Sequence, residues 1–250
     1  MRVRHLWVLA VMITAIPPAL ADSSTHDPNR SIYRAPYAQV SPTVDGLPDD
    51  QAWRFANWRA VKERWLGPAY TPDDFSGRYK VVWTENHLHI LFELTDDIII
   101  DRYRNPLIRY WDDDTLEIFI DEDHSGGNHQ YNHNAFAYHI SLDNQAIDLG
   151  TDSKPRSYTH HVESRWKQNG DLIHWEVNIQ VYSDSYNDDG QDNSPVKLHR
   201  GKVMGFLLAY CDNDGSEIRE NFIGSEIAEG PSPDRGWIDA GLFGTLELVD

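Results

Sequence analysis

Residues 78–94, RYKVVWTENHLHILFEL, decide the fold. Two short runs, 78–83 and 88–94, are rich in β-branched and aromatic residues and flank the polar tetrapeptide TENH, a pattern that predicts a tight hairpin. The same grammar recurs downstream. TLEIFID at 115–121 sets Leu116, Ile118 and Ile120 on one face and Glu117, Phe119 and Asp121 on the other. AFAYHISL at 135–142 opposes Phe136, Tyr138, Ile140 and Leu142 to Ala137, His139 and Ser141. Asn169-Gly170 divides two further strand patterns within 158–181, the strongest short hairpin signal in the chain. Strands are also expected in 201–212 and 243–249, and only 49–57 suggests a helical turn. Nine or more strands with long loops at 97–114, 122–134, 184–200 and 212–240 predict an all-β fold: an antiparallel sandwich of two packed sheets, of jelly-roll or immunoglobulin-like type.

The N-terminus reads differently. Arg2, Arg4 and His5 precede the apolar run LWVLAVMITAI, and PPALA follows with small residues at Ala19 and Ala21, the pattern of a signal peptide cut after Ala21. The run falls short of the roughly 20 apolar residues a membrane helix needs. Export to the periplasm or beyond is therefore expected, with 22–35 as a loose polar leader and 36–250 as the folded domain. The net charge of −18 becomes −20 once Arg2 and Arg4 are removed. Such a charge disfavours nucleic acid and anionic membranes, whose binding relies on lysine and arginine, and it suits a cation or a neutral ligand. Cys211 is the only cysteine, so no internal disulfide can form and burial must hold the fold.

Several constellations invite chemistry. Glu117 and Glu176 lie mid-strand among apolar neighbours and are the natural pair for a glycoside hydrolase, which needs two carboxylates roughly 5–10 Å apart. His124, His129 and His133 share a loop whose Gly126 and Gly127 oppose the helix a zinc pair would need, and this loop reads as solvated. His160 and His161 adjoin in a strand. Calcium is the better-founded cofactor, since 95–106, 121–128 and 186–194 offer hard oxygens in irregular backbone; Asp96, Asp97, Asp101 and Asn105 are the candidate ligands. Haem would need a methionine, and Met204, alone after residue 21, sits in an apolar strand pattern. Among the tryptophans, Trp53, Trp83, Trp166 and Trp175 fall in core patterns. Trp111 and Trp237 instead lie in polar, aspartate-bearing loops just before strands, where an indole can serve as a platform for the apolar face of a sugar.

PTVDGLPDDQAW at 42–53, together with 79–97, 105–123, 203–215 and 243–249, resembles carbohydrate-binding module family 9, in order and over nearly all of 36–250. The resemblance implies an antiparallel β-sandwich with structural calcium in which two tryptophans clamp the terminal sugar of a glucan or xylan chain. Trp111, Trp237 and the sugar-facing Glu117 fall on the family's positions. Where the family has an arginine and, two residues on, an asparagine, this chain carries His139 and Ser141. The loop 184–200 exceeds the family's expected length. The expected function is that of a secreted, non-catalytic, monomeric carbohydrate-binding protein, working alone or beside a separately encoded glycoside hydrolase. The alternatives are a glycoside hydrolase and a haem- or protein-binding domain on the same fold.

Overall fold

The computed structural model describes residues 30–190 and 192–250. The signal-peptide segment 1–21 lies outside the described residues, as does most of the 22–35 leader. In chain order the strands are β1 (Ile32–Pro36), β2 (Arg59–Val61), β3 (Glu63–Leu66), β4 (Phe75–Trp83), β5 (Leu88–Asp96), β6 (Thr115–Asp121) and β7 (Phe136–Ser141). They continue with β8 (Ala146–Leu149), β9 (Pro155–Ser157), β10 (Val162–Asn169), β11 (Leu172–Ile179), β12 (Val203–Asp212), β13 (Asn221–Gly224) and β14 (Gly244–Val249). One helical turn, α1 (Arg235–Ile238), stands in the last long loop, and the turn expected around 49–57 is a 3-10 turn at Gln51–Arg54.

Two sheets pack face to face. The larger runs β1-β14-β12-β6-β7-β8-β9, with β13 and β3 extending it beside the end of β12; the smaller runs β10-β11-β5-β4-β2. Both predicted hairpins form. β4 and β5 pair from Trp83↔Leu88 outward, and β10 and β11 close through Asn169↔Leu172. Gly170 turns that corner at φ 65°, a left-handed conformation that glycine adopts without steric cost.

Alternation explains the core. Leu116, Ile118 and Ile120 of β6 meet Phe136, Tyr138 and Ile140 of β7, and across the gap Ile90, Phe92, Trp175 and Val177 of the smaller sheet. The other faces of β6 and β7 are buried too, under long loops, in a second cluster around Phe119, Ala137, Leu207, Ala209 and Cys211. Trp53, Trp83 and Trp175 are buried as expected, and Trp166 packs half-buried against the core.

Two expectations change. The last leader residues are strand rather than loose: β1 pairs with β14 and buries Tyr33 and Ala35. That pairing is parallel, whereas the other strand pairs among the described residues are antiparallel. Among the described residues no helix is long and apolar enough to cross a membrane.

Candidate functional site

Glu117 and His139 face each other in register on β6 and β7, and strand alternation turns both to the outer face of the larger sheet. Over them lies a cleft of about 460 Å³. The loop before β6 contributes Tyr110 and Trp111, and the facing ends of β8 and β9 contribute Leu149 and Pro155. Arg219 enters from the loop before β13, and α1 contributes Trp237.

The three aspartates after Trp111 are not a solvated turn. Asp112, Asp113 and Asp114 are all buried. Asp112 accepts from Arg109 Nε at 2.8 Å and from the Arg219 amide; Asp113 accepts the Arg102 and Tyr103 amides; Asp114 accepts the Ile100 and Asn213 amides. They fold the loop back on itself and so present Trp111, 39% exposed, edge-on against Tyr110 with ring centroids 4.8 Å apart. Tyr110 in turn stands edge-on to His139, also at 4.8 Å.

Glu117 is fully buried. Its Oε1 meets Cys211 Sγ at 2.9 Å, His139 Nε2 at 3.2 Å and Arg219 Nη1 at 3.6 Å, whereas its Oε2 has no partner. Burial alone would raise this carboxyl, but His139 and Arg219 hold it below the usual glutamate range. For His139, burial acts downward and Glu117 outweighs it, leaving the ring above its ordinary value. The geometry agrees: His139 Nδ1 lies 3.0 Å from the Ala137 carbonyl, so both ring nitrogens face acceptors and suit the doubly protonated ring. Arg219 also bonds Asp234 at 2.6 Å and lies 4.0 Å over the Phe222 ring.

Trp237 is half-buried, packing against the Phe119 cluster. The 122–134 loop straps its helix: Gly127 O accepts from the Ala240 amide at 2.8 Å, and His129 Nε2 meets Gly236 O at 2.8 Å. Burial pushes His129 down to about 4, so the neutral ring donates to that carbonyl. His129 and His133 are therefore buried, contrary to the solvated reading, and His133 pairs with Asp188 at 3.1 Å. Asp188 belongs to the long loop 184–200 and also accepts the Thr151 amide at 2.9 Å, bracing the turn between β8 and β9 that lines the cleft.

Four of the five expected site residues thus converge: Trp111, Trp237, Glu117 and His139. Ser141 does not join them. Its hydroxyl turns to Asp143 and to the Gln145 carbonyl, and it lines a separate hollow of about 190 Å³ beyond Tyr110. Arg219, Asp234 and Tyr110 were not foreseen. Arg219 stands in a loop with no strand periodicity to mark it, yet its guanidinium reaches the Glu117 carboxylate on the cleft floor. Glu176, the other mid-strand carboxylate, faces outward from the opposite sheet and is no partner for Glu117.

The expected cation ligands separate. Asp96 joins Asp114 and Asp212 in a buried triad whose oxygens lie within 4.8 Å of one another, while Asp97 joins Asp74 and Asp214 in a more exposed group. Asp101 belongs to neither, and Asn105 Oδ1 accepts the Leu107 amide. The triad draws on the ends of β5 and β12 and the start of β6, distant in sequence, and a single-loop search misses such a set. Asp212 Oδ1 is buried without a partner. Burial, compounded by repulsion from neighbouring carboxylates, raises Asp114 to about 9, Asp212 to about 8 and Asp96 to about 6. Three buried hard-oxygen groups that resist ionisation unaided fit a divalent cation.

Fold and cleft together define a sandwich domain with an aromatic-lined, carboxylate-floored site on its larger sheet. Residues 44–250 match the family described as carbohydrate family 9 binding domain-like, and the chain belongs to that family. A family 9 carbohydrate-binding module from Caldicellulosiruptor kristjanssonii, solved with cellotriose, has a TM-score of 0.65 at 21% identity, covering 88% of this chain and 94% of the other. The same organism's family 9 module with glucose gives 0.63 at 20%, covering 87% and 95%. A putative carbohydrate-binding protein from Bacteroides uniformis gives 0.55 at 10%, covering 88% and 99%. No curated protein matches the chain significantly.

Proposed function

We propose that this protein binds a neutral sugar, a glucan- or xylan-type oligosaccharide or chain end, between Trp111 and Trp237. The observation that carries the reading is the buried Glu117 Oε2, an ionised acceptor without a partner in a cleft lined by both tryptophans. Sugar rings offer apolar faces for indoles and hydroxyls for such an acceptor. Arg219 and His139 stand beside Glu117 as the charged complement. Family membership and the likeness to modules solved with glucose and cellotriose support the same class of ligand. Calorimetric titration with glucose, cellobiose, cellotriose and xylo-oligosaccharides tests it, and absence of binding to all of them would overturn it.

The site favours binding over hydrolysis. A general acid for glycoside cleavage needs a raised pKa, and Glu117 is held low by its ion pair. Release of reducing sugar from any bound oligosaccharide would contradict this. The protein then serves polysaccharide breakdown by placing itself on the carbohydrate, exported and beside a separately encoded hydrolase.

A calcium ion held by Asp96, Asp114 and Asp212 is part of the proposal. Bound there, it would neutralise the three carboxylates and tie together the strand ends from which the Trp111 loop departs. Excess chelator should lower the melting temperature by removing a ligand of the native state, and calcium should restore it. An unchanged melting curve would remove calcium from the reading.

A further inference from the structure

Tyr131 has no part in the site so far described, yet it stands at its edge. Its ring centroid lies 5.9 Å from that of Trp237, at an interplanar angle of 81°. It is 45% exposed, so it does not serve the core. Its backbone is left-handed at φ 57°, a conformation that disfavours side chains other than glycine, asparagine and aspartate. Of the five non-glycine residues in that region among the described residues, Ser153 lines the cleft, Arg109 directly precedes Tyr110 and Tyr131 stands against Trp237, and such outliers persist where the surroundings over-determine them. Here the strap does so: residues 127–129 are bonded to the segment that carries Trp237.

A pyranose lying flat on Trp237 presents its apolar faces parallel to the indole. A ring nearly perpendicular to that indole cannot stack on the same face. We infer that Tyr131 is the platform for a second sugar unit, the one linked to the clamped residue, so that the protein reads the chain beyond its first ring. The inference rests on the clamp reading of Trp111 and Trp237 and extends it to a specificity-determining residue. The ligand class is an oligosaccharide of at least two units whose second ring turns out of the plane of the first.

The test is the gain in affinity on lengthening the ligand, measured by calorimetry with glucose, cellobiose and cellotriose on the parent, Tyr131→Phe and Tyr131→Ala. In the parent, cellobiose should bind more tightly than glucose. Tyr131→Ala should leave glucose within about twofold and weaken cellobiose about tenfold, taking the lower part of the aromatic stacking range as the scale. Tyr131→Phe should keep the gain, because the ring face and not the hydroxyl makes the contact. If Tyr131→Ala weakens glucose as much as cellobiose, or leaves both unchanged, the platform is refuted. Trp111→Ala, run alongside, separates the two claims: if it leaves glucose binding intact, the clamp itself has failed.

Discussion

Two glutamates occupy equivalent places on opposite sides of the sandwich and behave differently. Glu176 and Glu117 each sit mid-strand, buried, on the outward face of their sheet. Glu176 is completely satisfied: Oε2 accepts the Asp45 and Gly46 amides at 3.0 and 2.9 Å, and Oε1 accepts Trp53 Nε1 at 3.0 Å. It pins the 45–53 segment onto the smaller sheet. Glu117 crowds three partners onto one oxygen and leaves the other bare. A carboxylate whose whole acceptor capacity is used is structural, and one with a buried unpaired oxygen beside a cleft is waiting for a donor. On the proposed sugar-binding role, function falls to one sheet and stability to the other, and substitutions can break that contrast.

The largest effect should fall on the structural side. Glu176→Ala strands the buried Gly46 amide and Trp53 indole N–H and the half-buried Asp45 amide, and should cost about 3 kcal/mol of stability, or roughly 6–12 °C in a chain of this size, while sugar affinity stays unchanged. Thermal melts and calorimetry on the same sample check both halves. Next come the tryptophans, whose removal should weaken sugar binding by roughly ten- to a hundredfold, from stacking of about 1–3 kcal/mol. Their stability effects should differ. Trp111→Ala should melt close to the parent, whereas Trp237→Ala, losing contacts with the Phe119 cluster, should melt lower. Equal melting of the two variants would contradict the packing. Glu117→Gln is smaller again. It keeps the shape but loses the charge, and it should weaken sugar binding about tenfold, the lower end for a hydrogen bond to a charged group. A larger change in stability than in affinity would put Glu117 in the same class as Glu176.

The strands were legible because both sheets obey alternation. Residues 78–94, 115–121 and 162–179 carry enough β-branched and aromatic side chains to mark strands and turns, and the structure follows them. The short strands β2, β3, β8, β9 and β13 were not legible, since three or four residues hold too little periodicity to read. β1 was hidden for another reason: its parallel partner β14 lies at the far end of the chain. In the site, Trp111, Glu117 and Trp237 could be placed because each stands at a fixed count from a strong strand. Arg219 could not, as its position depends on how a long loop folds over β12 and β13. Ser141 was placed by the family resemblance, and a position in an alignment does not carry the neighbours that turn its hydroxyl away. The buried aspartate triad escaped because its members converge only after three strands align.

The finest test concerns the His139–Glu117 pair, which has no counterpart around Glu176. His139 is raised above its ordinary value, so its contribution to stability is complete below about pH 6.5 and is lost as pH rises through the folded value. Glu117 is lowered, so its contribution is complete above about pH 4.5 and is lost as pH falls through its own folded value. Between these limits the pair is intact. With excess calcium, which at the proposed site would keep the buried aspartate triad ionised, the melting temperature of the parent should fall as pH rises from 6 to 8. His139→Gln, which cannot be charged, should lack that component. The difference between the two profiles should be about 1–3 °C, the scale of less than 1 kcal/mol in a chain of this length. Parallel profiles would mean that His139 is neutral in the folded protein. Glu117 would then be held ionised by Arg219, and the arginine brought in by the loop would carry the charge complement of the site alone.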